Sequence, residues 1–251
     1  METVQHQQTV LNHFNFLAGS YDEKAEKRKN YLDAIDALII NNLKKQEQAP
    51  LLLLDVGCGT GTRAVGIANA LDATIWGIDV AEEMIKQAEK KIDKVYEQSM
   101  TSLQLPQQFD AIFCLFNAFG YLGTYKERLQ ALRNMQLHLH ENGTLFIDVM
   151  NILHKGEGRA FERKNREIIK DIVFPIIKPN IGLGNKGFSI IVNNKKIQGF
   201  VHGFFDLEMK WLLKRSGFEI VEKQIIGYDS GEIKKNNTEG QLFYVCKKKN
   251  E

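Results

Sequence analysis

Short apolar runs alternate with polar segments of helical period along most of the chain. Leu51 to Val56, Thr74 to Asp79, Val95 to Ser99, Ala111 to Phe116 and Thr144 to Val149 have the length and apolar content of strands. Between them, Arg63 to Leu71, Ala81 to Asp93 and Tyr125 to His140 space their apolar residues as helices do. Leu51 to Leu54 and Ala111 to Phe116 are unbroken apolar runs, which suits strands covered on both faces. The alternation predicts an α/β fold with a doubly wound, mostly parallel sheet. Asn142-Gly143 is expected to stop the third helix in the left-handed conformation before the next strand.

Two regions depart from this rhythm. Near the start, Leu32, Ile35, Leu38, Ile39 and Leu43 lie at helical spacing after the charged run Asp22 to Asn30, predicting an amphipathic helix or helix pair beside the sheet. From Asn151 to Phe205, a basic, helix-like stretch Arg159 to Lys170 leads to Phe174-Pro175 and Lys178-Pro179. A hairpin follows, Phe188 to Val192 and Lys196 to His202, turning at Asn193-Asn194. The core pattern resumes with helix Asp206 to Ser216, a stop at Gly217, strand Phe218 to Ile226 and last strand Gln241 to Lys247. The expected organisation is a helical cap over 1–48, a core over 49–150, a small β-containing insertion over 151–205, and the rest of the core sheet over 206–251.

Composition narrows the class without naming a partner. The 251 residues are 43% hydrophobic and 25% charged, as in a globular chain with a sizeable core, and no apolar run is long enough to span a membrane. The polar, glutamine-rich start from Met1 to Val10 lacks the features of a secretory signal, so a cytoplasmic location is expected. Cys58, Cys114 and Cys246 are odd in number and far apart, which predicts reduced thiols and no zinc site. The 33 basic residues nearly balance the 31 acidic ones, and a net charge of +2 is too weak an imbalance to imply a polyanionic partner by itself, so no nucleic acid partner is expected.

The densest chemistry lies at the exit of the first strand, Asp55-Val56-Gly57-Cys58-Gly59-Thr60-Gly61. In an open parallel sheet, ligands bind beyond the carboxyl ends of the strands at the switch in strand order. The glycines let the chain turn sharply and let a ligand approach the backbone. The spacing is Gly-x-Gly-x-Gly, with Thr62 where a dinucleotide fold would place its third glycine, which disfavours an NAD-dependent dehydrogenase. Asp79 ends the second strand, where a carboxylate can accept hydrogen bonds from two ribose hydroxyls.

With Leu105-Pro106-Gln107-Gln108-Phe109-Asp110 just before the fourth strand, these motifs resemble the class I methyltransferases that act on small molecules. The resemblance covers Tyr21 to Val149 and, more loosely, the final helix and two strands. It implies a seven-stranded sheet with an antiparallel last strand, and S-adenosylmethionine as donor with S-adenosylhomocysteine as product. Gly57, Cys58 and Gly59 would line the methionine end beside Asp55 and Gly61, and Asp79 would bind ribose. Val80, Met84, Ser99 and Met100 would surround adenine, Tyr21 would close over the donor, and Asn117 would face the transferred methyl. Ser99 stands where the family usually has an acid, and Asn117-Ala118-Phe119-Gly120 differs from the Asn-Pro-Pro-Tyr of nucleic-acid amino-methyltransferases.

Bland alternatives stand beside several of these readings: Asp79 could simply cap a helix, and Tyr21 could pack on the sheet. His154 and His202 flank the insertion and are candidate bases, although either could be structural. Phe161, Phe174, Phe188 and Phe200 give the insertion an apolar character suited to an acceptor lid or a homodimer contact. The expected reaction is in-line N- or O-methylation of a small molecule, without a metal. An RNA or protein methyltransferase, or a non-catalytic donor-binding scaffold, are the competing readings.

Overall fold

The computed structural model describes residues 2–45, 50–155, 184–192 and 195–249. The chain opens with helices α1 (Glu2–Leu17), α2 (Tyr21–Glu26) and α3 (Lys29–Leu43), the first two joined by a 3-10 turn at Ala18–Ser20. The core then runs β1 (Leu52–Val56), α4 (Thr62–Leu71), β2 (Thr74–Asp79), α5 (Glu82–Ala88), β3 (Lys94–Glu97), β4 (Phe109–Cys114), α6 (Tyr125–His138) and β5 (Leu139–Val149). A hairpin of β6 (Asn185–Val192) and β7 (Lys195–His202) precedes α7 (Asp206–Arg215), β8 (Phe218–Ile226) and β9 (Gln241–Lys248).

Seven strands form one sheet in the order β3-β2-β1-β4-β5-β9-β8, and β6 and β7 form a separate pair. Strands β1 to β5 are parallel, while β9 runs antiparallel to both its neighbours. This is the expected doubly wound sheet with its antiparallel last strand. The strand order reverses between β1 and β4, so the connections leaving these two strands diverge and open a crevice at their carboxyl ends.

Pleating explains the apolar runs. Leu53, Ala111 and Phe146 face one side, where they pack with the α3 stripe Tyr31, Ile35, Ile39 and Leu43 and with Ile67 of α4. Their chain neighbours Leu54, Ile112 and Ile147 face the other, against Leu132 and Met135 of α6 and Leu212 and Leu213 of α7. Each central strand therefore buries both faces, and strict alternation is lost.

Local elements differ from the sequence pattern in two places. Helix α5 ends at Ala88 rather than continuing to Asp93, whose carboxylate instead accepts the Ile75 N–H at 3.1 Å. Asn142 and Gly143 lie inside β5 rather than forming a left-handed stop. His138 closes α6 instead, its Nδ1 donating to the Asn134 carbonyl at 2.7 Å and its Nε2 accepting the Leu105 N–H at 3.1 Å. Gly143 serves close packing, because a Cβ there would meet the His140 and Phe109 carbonyl oxygens at 2.9 and 3.0 Å. The expected helix Arg159 to Lys170, the two proline-containing dipeptides and the turn at Asn193-Asn194 lie outside the described residues.

The carboxyl end of the sheet is held by buried charge. Asp55 of β1 and Asp148 of β5 lie near Arg63 of α4, whose Nε donates to Asp36 of α3 at 2.6 Å. Burial pushes the Asp55 carboxyl up to about 7, with the Arg63 charge opposing the rise. Asp148 also accepts from the Tyr31 hydroxyl at 2.7 Å and from the Phe116 N–H at 2.5 Å. Helix α3 is thereby tied to the turn that follows β4.

Two outcomes are expected. Gly61, at φ +76°, begins α4, and a Cβ there would lie 2.9 Å from Ile92 Cδ1 and 3.3 Å from Ala88 Cα. Gly61→Ala should cost roughly 2 kcal/mol, from the left-handed backbone and the clash, read as a drop in urea midpoint; an unchanged midpoint contradicts it. A carboxyl raised in the folded state stabilises below its unfolded pKa and loses that contribution as pH rises through the folded value. The stability of Asp55→Asn relative to wild type should therefore grow between about pH 4 and 7, measured by urea unfolding across that range; a constant difference would show that Asp55 is not the titrating group.

Candidate active site

One cavity of about 960 Å³ opens at the crevice between the β1 and β4 exits. The Gly-rich turn forms one wall. Gly57, Gly59 and Gly61 all adopt positive φ, and the N–H groups of Gly57 and Cys58 both donate to the Ile78 carbonyl, at 2.8 and 2.9 Å. A Cβ on Gly57 would strike Ala118 Cβ at 2.8 Å, so glycine keeps this part of the cavity open.

Asp79 joins that turn to the next one. Its Oδ2 accepts the Gly59 N–H at 2.9 Å, and its Oδ1 accepts those of Val80 and Ala81 at 2.7 and 2.9 Å. Burial raises its carboxyl above the ordinary value, and these three donors oppose the rise. Asp79 thus caps the start of the β2–α5 turn and also faces the cavity. Ser99 begins a 3-10 turn, its hydroxyl 2.8 Å from that of Thr101, and lies in the wall beside Met100.

The turn after β4 is held in an uncommon conformation. Phe116 and Asn117 have φ of +55° and +60°, in a region that costs energy for residues with a Cβ. The Phe116 N–H bond to Asp148 pins the turn, as does the Met150 N–H, which donates to Asn117 Oδ1 at 2.8 Å. This constraint directs the turn at the cavity.

Helix α1 and the Tyr21 ring roof the space. Val10, Phe14, Leu17 and Tyr21 line it at helical spacing, and a Cβ on Gly59 would touch Tyr21 Cε1 at 3.5 Å. Aromatic contacts continue away from Tyr21: Phe14 lies 4.9 Å from Tyr121 and 6.5 Å from Tyr21 between ring centroids, and His13 lies 4.9 Å from Phe188 of β6. Burial, and then the Tyr228 charge, pushes the Tyr121 hydroxyl up to about 12.

Of the sequence-derived site residues, Tyr21, Gly57, Gly59, Asp79, Val80, Ser99, Met100 and Asn117 line this one cavity. Asp55, Cys58, Gly61 and Met84 stand behind its wall. Asp55 is buried beside Arg63; Cys58 packs its sulfur over Gly77; Gly61 contacts Ile92; Met84 lies in a small cluster with Ala18 and Ala81.

The two histidines chosen from the insertion do not line the cavity. Buried His202 has Nδ1 2.6 Å from Asn185 Oδ1 and Nε2 2.9 Å from Glu208 Oε1. Buried His154 has Nδ1 3.0 Å from Gln241 Nε2. The histidine in the cavity wall is His13, with burial and then the Lys24 charge pushing its pKa below the ordinary value.

Sequence reasoning also missed Phe14, Tyr31, Asp148 and Tyr228, all cavity-lining. The Val10, Phe14, Leu17 and Tyr21 spacing was a usable signal, as was an acid at 148 inside an apolar strand, where a carboxylate needs partners. Tyr228 carries no such mark. Among the described residues, no group of three or more His, Cys, Asp or Glu side chains could hold a metal ion, and no helix is long and apolar enough to cross a membrane.

Comparison with known proteins agrees with this geometry. Residues 53–143 match a family model described as a methyltransferase domain. A putative methyltransferase of Geobacillus sp. (strain WCH70) is 31% identical over 232 residues, covering 86% of this chain and 92% of the relative. The dTDP-3-amino-3,4,6-trideoxy-alpha-D-glucopyranose N,N-dimethyltransferase of Streptomyces venezuelae is 30% identical over 98 residues, 38% of this chain and 41% of that protein. Among solved structures, an S-adenosylmethionine-dependent methyltransferase from Clostridium acetobutylicum ATCC 824 superposes with a TM-score of 0.65 at 16% identity, covering 94% of this chain and 99% of the other. Fold, Gly-rich turn, acid at the end of β2 and the Geobacillus relative together place the chain among the class I methyltransferases.

Proposed function

We propose that the protein methylates a small molecule on nitrogen or oxygen, with the donor held along the Gly-rich turn and the acceptor in the part of the cavity beyond Asn117. The observation that carries this reading is one shared cavity: Asp79, Val80 and Ser99 line it together with His13, Tyr121, Asp148 and Tyr228. A roofed interior lined by aromatic rings suits a compact acceptor. The aminosugar dimethyltransferase of Streptomyces venezuelae supports a nitrogen acceptor as one form of this chemistry.

The residues fit the donor. Asp79 keeps lone-pair capacity on Oδ2, which accepts only the Gly59 N–H, for a ribose hydroxyl. Gly57 and Gly59 leave a cradle that side chains would fill. When bound, S-adenosylmethionine supplies a methyl group already activated on a sulfonium, so the protein's work is alignment and exclusion of water.

Each wall has a part in that work. The apolar face of α1 and the Tyr21 ring exclude solvent from above. Asn117, fixed through Met150, sets the edge against which the acceptor atom would lie. An acceptor gaining a methyl must lose a proton, and His13, held toward its neutral form by burial and by Lys24, is the cavity histidine able to receive it. From the region 151–205, Val201 lines the same chamber and Phe188 packs behind it against His13, as parts of an acceptor lid would.

Calorimetry with S-adenosylmethionine and S-adenosylhomocysteine tests the donor side. Asp79→Ala should weaken both by about 10- to 100-fold, the range for losing charge-assisted hydrogen bonds, and equal affinity in mutant and wild type would sink the assignment. Release of S-adenosylhomocysteine with a panel of amino sugars and hydroxylated metabolites tests the acceptor side. Turnover only with RNA or protein would overturn the small-molecule reading.

A further inference from the structure

We propose that Asp22 is a positioning residue for the methyl donor, holding the Tyr21 ring over Gly59 by tying α2 to the Gly-rich turn. The inference rests on the donor site proposed above. Asp22 Oδ1 accepts from the Thr60 hydroxyl at 2.5 Å, and Oδ2 accepts from the Thr62 hydroxyl at 2.7 Å. Lys91 completes the junction, its Nζ lying 3.6 Å from Asp22 and donating to the Thr60 carbonyl and the Thr62 hydroxyl at 3.1 and 2.7 Å. The carboxylate therefore sits at the amino end of α4, where the helix dipole also favours negative charge.

Polar contacts carry unusual weight here because α2 buries none of its residues. Within this six-residue helix Tyr21 alone joins the apolar cluster of Ala18, Ala81 and Met84, on which Leu11, Phe14 and Leu17 of α1 also pack. A second polar anchor lies one segment earlier, where Asn15 Oδ1 accepts the Glu83 N–H at 3.0 Å at the start of α5. The stretch from Leu17 to Tyr21 thus spans the donor side of the cavity between two helix N-termini, those of α5 and α4. Adjacent side chains on a helix diverge by about 100°, so Asp22 can grip α4 while Tyr21 turns to Gly59. Without that grip the ring over the donor loses its support, and donor exchange no longer waits on breaking the junction.

The test measures S-adenosylhomocysteine dissociation by stopped flow and affinity by calorimetry. The proteins are wild type, Asp22→Ala, Asp22→Asn, Tyr21→Ala, the Tyr21→Ala/Asp22→Ala double variant and Asp79→Ala. Asp22→Ala is expected to speed dissociation about tenfold, the scale of one charge-assisted hydrogen bond, with Asp22→Asn intermediate because it keeps one acceptor oxygen. In the Tyr21→Ala background the same substitution should change the rate less than about twofold, since coupled residues are non-additive. Rates within twofold of wild type for Asp22→Ala, or an undiminished effect without Tyr21, would overturn the proposal. If Asp22→Ala does not fold, Asp22→Asn is judged by the same limits. Should wild type fail to bind S-adenosylhomocysteine, or Asp79→Ala bind it equally well, the donor site falls and Asp22 with it; normal dependence on Asp79 with none on Asp22 refutes the positioning role alone.

Discussion

The Asp79 carboxylate gathers the backbone N–H groups of Gly59, Val80 and Ala81, and this makes one unit of the first two turns at the carboxyl edge of the sheet. The parallel register that sets Val56 beside Ile78 brings the turns close, and the Ile78 carbonyl secures them further by accepting from Gly57 and Cys58. A buried carboxylate is costly unless it is paired or well hydrogen-bonded. Here the donors that offset this cost belong to the loops that must be shaped, so desolvation and loop geometry are solved by the same contacts.

A second buried acid organises the other half of the crevice. Asp148 links β5 to Tyr31 of α3 and to the Phe116 amide, supporting two consecutive left-handed residues that contain a Cβ. Such strain persists only where surrounding structure over-determines it. The Asn117 bond to Met150 supplies the further constraint. Arg63 lies near Asp55 and Asp148, so the two halves of the crevice rest on connected electrostatics.

The roof is built differently from the floor. Strands hold the floor through continuous ladders, while α1 and Tyr21 rest on a small apolar cluster and Asp22 ties α2 down through polar contacts. The roof includes cavity-lining aromatic side chains, Phe14 and Tyr21 among them, and β7 also packs against α1. An enclosure hinged on weaker contacts than its base is compatible with exchange of ligands while the sheet stays intact.

Short-range constraints were legible in the sequence. Strand and helix periodicity, the Gly-x-Gly-x-Gly turn and the acid at the end of β2 each depend on residues within a few positions, because φ freedom, pleating and backbone capping are local properties. The stop assigned to Asn142-Gly143 failed for the same reason in reverse: the dipeptide permits a left-handed turn, but pairing with β4 and the two bonds of His138 extended the strand through it. Which histidine reaches the cavity was also beyond local reading. His13, His154 and His202 look alike as isolated residues, and only the packing of α1 against β6, β7 and the β4 turn separates a wall residue from two buried partners of Gln241 and Glu208. The sequence by itself determined the Gly-rich turn and the layered sheet, whose causes lie in neighbouring residues; the tertiary structure decided the cavity, because its walls come from segments far apart in the chain that meet only through side-chain packing.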